Sequence, residues 1–589
     1  MSWWARALAI LLCCLAVLAA ARGLVRHNTW YLASDQFSFL TFADDLTRGQ
    51  LFHDPTTFAL LATPTLPPDV AVDAYYQTYI FSHGRLFSRY PPGYPLLLAA
   101  TKLVGGEAAQ HWLNPLLYLM LMCVLGRLSA RLTAGRVPWA AAATTMWAML
   151  VIPVEVHYWG ITIARDLPAH LLALMALLAA QSAASVRAGL LLGFAATIRP
   201  DAVLWSLPAA IAFPRDSRDV RAVALGSMAF GIGLLPLFAY NTVTQGHPLA
   251  FTQGSEFRGA LESAVGMPSL LLAGATFVSG GAFRLVHFPA TFPVHVRYLV
   301  ASFGGFLWLA IGMFLVPTVR RLPIARALAS YVVIGLLFYS CWSHGDPRYL
   351  VGVSLSLIVL ASGALVRMAD WLADTNVSVY RRLLGLLVVG GVLAFGAVLP
   401  RDPARGLTTL ERASAVSLVV ASVTTVVGAR ALAPVVPALA FAAFGALRIV
   451  ASGAPGEGFR APDVARARTA IEAMVPRGAL VLTSPALGRP AENWTYYTHA
   501  DAHYLGELAR VFANANLVAH RCTTTGRPFF LLLAASEPLP FKVPPAWLHL
   551  REVARRRGDA LREWFVDPNR VPGEVVLYQA KLSVTPPVW

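Results

Sequence analysis

Apolar runs about 20 residues long recur along this chain, and they settle its broad class before any motif is read. A helix of that length crosses the roughly 30 Å of hydrocarbon in a bilayer. Lipid-exposed backbone must satisfy its own hydrogen bonds, and the runs are too long and too uniformly apolar for barrel strands, so the expected class is an all-α polytopic membrane protein. Composition agrees. Only 13% of the 589 residues are charged and 57% are hydrophobic, with a mean hydropathy of +0.58, whereas a soluble domain carries about 25% charged residues.

The first run, "WWARALAILLCCLAVLAAARGLV", reads as a signal anchor, with a cleaved signal peptide as the alternative; in both cases the next segment leaves the cytoplasm. Residues 24–110 then form a long first external loop, polar and aromatic, ending in "YPLLLAATKLVGG". That stretch is too short to span and reads as an interfacial or re-entrant helix begun after Pro91 and Pro92. Further spans are expected near 111–133, 137–154, 167–185, 188–199, 201–213, 222–240, 298–317, 325–342, 348–367, 382–399, 413–428 and 430–452, which makes about 13 with the first; 266–282 is the ambiguous run. The pair 188–199 and 201–213 reads as two half-length helices meeting at "TIRPD".

The formal charge of +16 is not read as a nucleic-acid footprint, because most arginines lie in short loops between apolar runs. "RLSARLTAGR", "VRRLPIAR" and "VYRRL" all fall on the cytoplasmic side if the N-terminus is cytoplasmic, as the positive-inside rule asks. Residues 24–110, 155–166, 241–297, 343–347 and everything after about 453 are then outside. Composition therefore divides the chain into a membrane module, 1–452, and a small soluble α/β or α+β domain, 453–589. The five cysteines show neither a disulfide framework nor a metal-ligand spacing.

Charges inside or at the lip of membrane helices are costly and mark functional candidates. In "SDQFSFLTFADDLTRGQ", Asp35 precedes a helical pattern and is either a helix N-cap or a catalytic carboxylate; Asp44 and Asp45 read as a solvated face. In "GITIARDLPAHLLAL", Asp166 opens an apolar helix with the same two readings. In "GFAATIRPDAVLW", Arg199 is either one half of an ion pair with Asp201 or part of an anion site. In "SHGDPRYLVGVSL", Arg348 and Tyr349 start a helix, as a snorkelling and interface-belt pair or as a phosphate site suited to arginine's planar fork. No nucleotide-binding loop, zinc-protease motif or nucleophile elbow appears.

Together these stretches resemble the GT-C membrane glycosyltransferases, closest to the protein O-mannosyltransferase and aminoarabinose-transferase-like group. "SDQFSFLTFADDLTRGQ" is similar to that group's first-loop motif, "RYPPGYPLLLAA" to its second-loop signature, and "GFAATIRPDAVL" to its short-helix Arg-Pro element. "YNTVTQGHPLAF" is similar to its external Asn…Gly-x-Pro turn, and "PRYL" to its Arg-Tyr helix start. The resemblance covers roughly 1–370 and departs at Gln36, where members often carry a second acid.

It implies an enzyme that takes a sugar from a polyprenyl-phosphate donor and inverts the anomeric centre. The acceptor is a hydroxyl on a protein, lipid or glycan outside the cytoplasm. Asp35 becomes the base, ionised at neutral pH by its reference pKa of about 3.9 unless burial raises it, and Asp166 positions the acceptor or an arginine. Arg348, Arg199 and Tyr349 take the donor phosphate, while Arg89, Tyr90 and Asn241 line the cavity. No cofactor or metal is demanded, and a divalent ion stays open. Two rival readings are a transporter or flippase, which would place paired charges at the midplane of repeated halves, and a non-catalytic scaffold for the C-terminal domain.

Overall fold

The computed structural model describes residues 2–27, 34–52, 79–82, 85–88, 90–133, 135–151, 162–214, 216, 219–246, 248, 287–303, 307, 310–311, 317–342, 345, 347–373, 430–451, 475, 479–483, 501–504, 528–535, 548–557 and 574–582. The chain forms two compact units, residues 1–25 with 114–455 and residues 26–113 with 456–589. The first-loop residues thus group with the C-terminal segment, whereas composition drew its boundary near 452.

Helix α1 (Trp3–His27) leads into the first loop, where α2 (Ser34–Thr47) is followed by a hairpin of β1 (Tyr79–Ser82) and β2 (Arg85–Ser88). Helix α3 (Gly93–Leu132) is 40 residues long, about twice what a bilayer needs. It is broken at Gly106, whose φ of 72° is open to glycine and strained for other residues. The break divides a short first arm, the stretch read as an interfacial helix, from a long second arm that contains the expected span 111–133.

In the first unit follow α4 (Pro138–Val151), α5 (Asp166–Gln181), α6 (Ser185–Ile198), a 3₁₀ turn at Pro200–Trp205, α7 (Ser206–Ala212) and α8 (Val220–Gln245). Next come α9 (Phe288–Phe303), α10 (Pro323–Ser340), a 3₁₀ turn at Pro347–Leu350, α11 (Val351–Ala373) and α12 (Val436–Ala451). The core sits where α11 packs against α10 and α4, and α12 packs on α4. The Trp147 indole N–H on α4 donates to the Leu12 carbonyl of α1 at 3.0 Å, tying the first helix to this core.

Among the described residues, five helices are long and apolar enough to cross a membrane: Trp3–Val25, Gly93–Leu132, Val220–Thr244, Pro323–Ser340 and Arg348–Trp371. The expected spans at 382–399 and 413–428, and the ambiguous run 266–282, lie outside the described residues. The half-length pair takes the expected form: α6 has 14 residues and α7 only seven.

Helices α6 and α8 touch backbone to backbone. The "GLLLG" stretch puts Gly189 and Gly193 one turn apart on the same face. A Cβ added at Gly189 would lie 2.1 Å from the Gly226 carbonyl oxygen, and one at Gly193 would lie 2.2 Å from that of Phe230. Where lipid is as apolar as leucine, small residues that let helices approach are what hold them together. The Thr197 hydroxyl donates across the seam to the Gly233 carbonyl at 2.9 Å.

In the second unit, the C-terminal segment builds a five-stranded mixed sheet from β3 (Leu480–Thr483), β4 (Asp501–Tyr504), β5 (Phe529–Ala534), β6 (Leu548–Arg557) and β7 (Glu574–Leu582). The order is β4-β3-β5-β7-β6, with β3 parallel to β4 and β5, and β7 antiparallel to β5 and β6. Val481, Phe530, Leu531, Leu533 and Val575–Leu577 are buried in it.

Candidate active site

In the first unit the proline at 200 organises the site. The residue before a proline is pushed to extended backbone, and Arg199 takes φ −137°, ψ 114°, ending α6. Pro200 itself starts the 3₁₀ turn, where its missing N–H has no cost. Arg199 and Asp201 therefore flank the proline and meet as a fork: Nε donates to Oδ1 at 2.9 Å and Nη2 to Oδ2 at 2.5 Å. The third nitrogen, Nη1, pairs with Oδ1 of Asp166, at the start of α5. Arg199 is 4% exposed and Asp166 7%, and the Asp201 side chain keeps 18% of its surface, so this guanidinium and its two carboxylates form a largely buried ionic triad.

Two aromatic groups border the triad. The Tyr339 hydroxyl, at the end of α10, donates to Asp201 Oδ2 at 2.6 Å. The Tyr339 ring lies nearly parallel to that of Tyr349, with centroids 5.8 Å apart. The Tyr349 ring in turn has the Arg199 guanidinium carbon 5.9 Å and the Arg348 one 5.1 Å from its centroid, both within cation–π range. Arg348 Nη2 also donates to the Tyr349 hydroxyl at 3.2 Å. One helical turn after Asp166, His170 Nδ1 accepts from the Trp205 indole at 3.3 Å, and Trp205 stacks on Tyr331 at 3.6 Å. Asp166, Arg199, Arg348 and Tyr349, picked from separate stretches of sequence, thus share one neighbourhood.

In the second unit, Asp35 lies in the first turn of α2 and accepts a hydrogen bond from the Tyr90 hydroxyl. The β1–β2 hairpin delivers Tyr90: the Ser88 hydroxyl takes its backbone N–H at 3.2 Å and lies 3.3 Å from the Ser38 hydroxyl. Phe39 packs on both Tyr90 and Tyr94, with centroids 4.9 and 5.2 Å away. Asp44 and Asp45, read as a solvated face, are each paired, to Lys102 at 2.5 Å and to Arg48 at 2.6 Å. Asp45 is fully buried. Burial raises the Asp44 carboxyl above its ordinary value, and the Lys102 ammonium pulls it back.

Asn241 closes the end of α8: its side-chain amide donates to the Pro248 carbonyl at 3.0 Å, beside Gly246 in the left-handed region. Arg89 lies outside the described residues. Tyr339 and Trp205 were not picked out from the sequence, since an aromatic at a membrane-helix end looks like any interface-belt residue. Among the described residues, no three His, Cys, Asp or Glu side chains gather to hold a metal ion.

No protein-family model matches the sequence, and no curated protein sequence matches it. Solved structures do match by shape. ArnT from Cupriavidus metallidurans bound to undecaprenyl phosphate aligns with a TM-score of 0.56 at 13% identity, over 98% of this chain and 99% of that one. The oligosaccharyltransferase AglB from Archaeoglobus fulgidus, in complex with an inhibitory peptide and a dolichol-phosphate, aligns with a TM-score of 0.51 at 12% identity, over 90% of this chain and 70% of that one. With several apolar helices of spanning length as well, the chain is a multi-pass membrane protein with the GT-C fold.

Proposed function

We propose that this chain is an integral-membrane glycosyltransferase that moves a sugar from a polyprenyl-phosphate donor to a hydroxyl of an acceptor outside the cytoplasm. The observation that carries the reading is the fold: 98% of the chain aligns with a protein whose structure holds undecaprenyl phosphate, itself a polyprenyl phosphate. Supporting it, the Arg348 guanidinium lies over the Tyr349 ring and adds a cation beside the triad, in which Arg199 already answers two carboxylates.

In the reaction, the acceptor oxygen bonds to the anomeric carbon as the bond from that carbon to the phosphate oxygen breaks, with inversion. Asp35 takes the acceptor's proton, and the Tyr90 hydroxyl orients its carboxylate. The electron pair of the broken bond leaves on the polyprenyl phosphate. Arg348 stabilises that charge as it develops. Three of Arg199's five N–H donors already meet carboxylates. Its two remaining N–H groups are what it offers the phosphate, and its pairing fixes Asp166 toward the acceptor. The positive-inside rule, which assigns the arginine-rich loops to the cytoplasm, supports chemistry and a C-terminal segment on the far face of the cell membrane.

The test is transfer from a labelled polyprenyl-phosphate sugar in membranes carrying the intact chain, Asp35→Asn or Arg348→Ala. Loss of a well-placed base lowers turnover by about 10²–10⁴-fold. Near-normal turnover by Asp35→Asn rejects the base assignment; a wild-type chain that consumes no such donor rejects the enzyme class.

A further inference from the structure

We infer that Tyr339 is a two-ended positioning residue that sets the acidic end of the site through its hydroxyl and the phosphate end through its ring. The inference rests on the transferase reading above and assigns a role to a side chain that sequence patterns did not single out.

The side chain is 1% exposed, and both of its ends have work. At one end the hydroxyl donates to Asp201 Oδ2 at 2.6 Å, the same oxygen that takes Arg199 Nη2 at 2.5 Å. Asp201 presents both oxygens to the Arg199 fork, and Arg199 passes Nη1 on to Asp166. A carboxylate held from two directions has its rotamer fixed, so Tyr339 locks Arg199 and, through it, Asp166.

At the other end the ring lies nearly parallel to Tyr349, at an interplanar angle of 22°, and Trp342 closes on Tyr349 from a centroid distance of 5.5 Å. Tyr349 is the platform on which the Arg348 guanidinium rests, so the stack fixes the direction in which Arg348 points. The two ends reach different partners, and different substitutions separate them. Tyr339→Phe removes the hydroxyl and keeps the stack. Tyr339→Leu removes both. Asp201→Asn weakens the hydroxyl end from the opposite side and leaves the stack alone.

Two readouts are taken on the full chain: the Kd for undecaprenyl phosphate in detergent, and turnover of a labelled polyprenyl-phosphate sugar. A hydrogen bond to a charged group is worth about tenfold or more, so Tyr339→Phe should lose about tenfold in turnover and, with the Arg199 fork still on Asp201, keep Kd within about twofold; Asp201→Asn, which loosens that fork as well, should lose at least as much turnover. An aromatic pair is worth about two- to tenfold, so Tyr339→Leu should weaken undecaprenyl phosphate binding by that further factor. Monodisperse elution of each variant shows that the fold survives, and Tyr349→Leu, which removes the stack and keeps the Tyr339 hydroxyl, tests the ring end by the same loss of binding should Tyr339→Leu fail that check.

If the wild type binds and turns over while Tyr339→Phe and Tyr339→Leu behave alike, or match it, the two-ended role is wrong and the transferase reading stands. A wild type that neither binds undecaprenyl phosphate nor consumes the donor overturns both.

Discussion

Arg199 in the membrane unit and Arg555 on the C-terminal sheet are built from the same parts and differ in almost everything that matters. Each guanidinium is forked onto one nearby carboxylate and shared with a second. Arg555 gives Nε and Nη2 to Glu552 at 3.0 and 2.9 Å and Nη1 to Glu574 at 3.0 Å. Arg199 does the same with Asp201 and Asp166. The side chains of Arg555, Glu552 and Glu574 are 47%, 42% and 50% exposed, against 5%, 9% and 18% for Arg199, Asp166 and Asp201. Water competes for every contact of the Arg555 triad and far less for those of the Arg199 triad. Geometry alone therefore does not rank ion pairs; the dielectric around them does.

The largest expected effect follows from breaking the buried triad at its centre. Arg199→Met leaves two carboxylates facing each other in a dry site, and removing one partner of a buried pair costs about 3–5 kcal/mol. Denaturation of the full chain in mixed micelles measures the loss. The comparison sharpens if Asp166→Leu and Asp201→Leu are then added, since replacing a buried ionic group by apolar residues is often neutral or stabilising. Recovery of stability without turnover would show that the triad is kept for chemistry. A stable single Arg199→Met variant would remove the contrast with Arg555.

A smaller effect tests what keeps the triad dry. Arg199 sits at the end of α6, and α6 is pressed to α8 through Gly189 and Gly193. Gly193→Ala puts a methyl 2.2 Å from a carbonyl oxygen, so the helices must part. Overpacking of this kind costs about 1–3 kcal/mol. If separation also lets water reach Arg199, turnover of the alanine variant becomes more sensitive to salt than that of the wild type, because screening reaches exposed charges first. Equal salt dependence would mean that the seam holds the helices without guarding the site.

These two tests touch features that the sequence showed unequally. The Arg199–Asp201 pair was readable because Pro200 stands between the partners and forces the extended backbone that lets them meet. The break into half-helices was readable for the same reason. Asp166 was visible as a charge at a helix start, but its partner was not: 33 positions separate it from Arg199, and only the packing of α5 against α6 brings them together. The Asp35–Tyr90 hydrogen bond spans 55 positions and depends on the hairpin after the first loop. The solvated reading of Asp45 missed its burial, since a helix face in a loop carries no mark of what covers it. In the C-terminal segment, "ALVL" announced a strand, while the order that places β3 between β4 and β5 rests on contacts between distant strands.

The smallest effect belongs to Arg555, and it completes the comparison. On edge strand β6, Arg555 lies opposite Val576 of β7, next to the register shift between Glu552 and Ala554. The Arg555 side chain lowers the Glu552 carboxyl below its ordinary value, which shows that the charges feel each other. Feeling each other is a weaker condition than stabilising the fold, because solvent screens the pair and two long side chains lose freedom to make it. Arg555→Met should therefore leave hydrogen exchange at the β6–β7 amides unchanged, at low salt and at high. What holds these strands is the ladder itself, with Val575, Val576 and Leu577 buried beneath it. A clear loss of protection at Val576 and Leu577 in low salt, erased by high salt, would show instead that an exposed arginine fork holds a sheet edge much as a buried one holds a membrane site. Burial would then no longer explain the difference between the two triads.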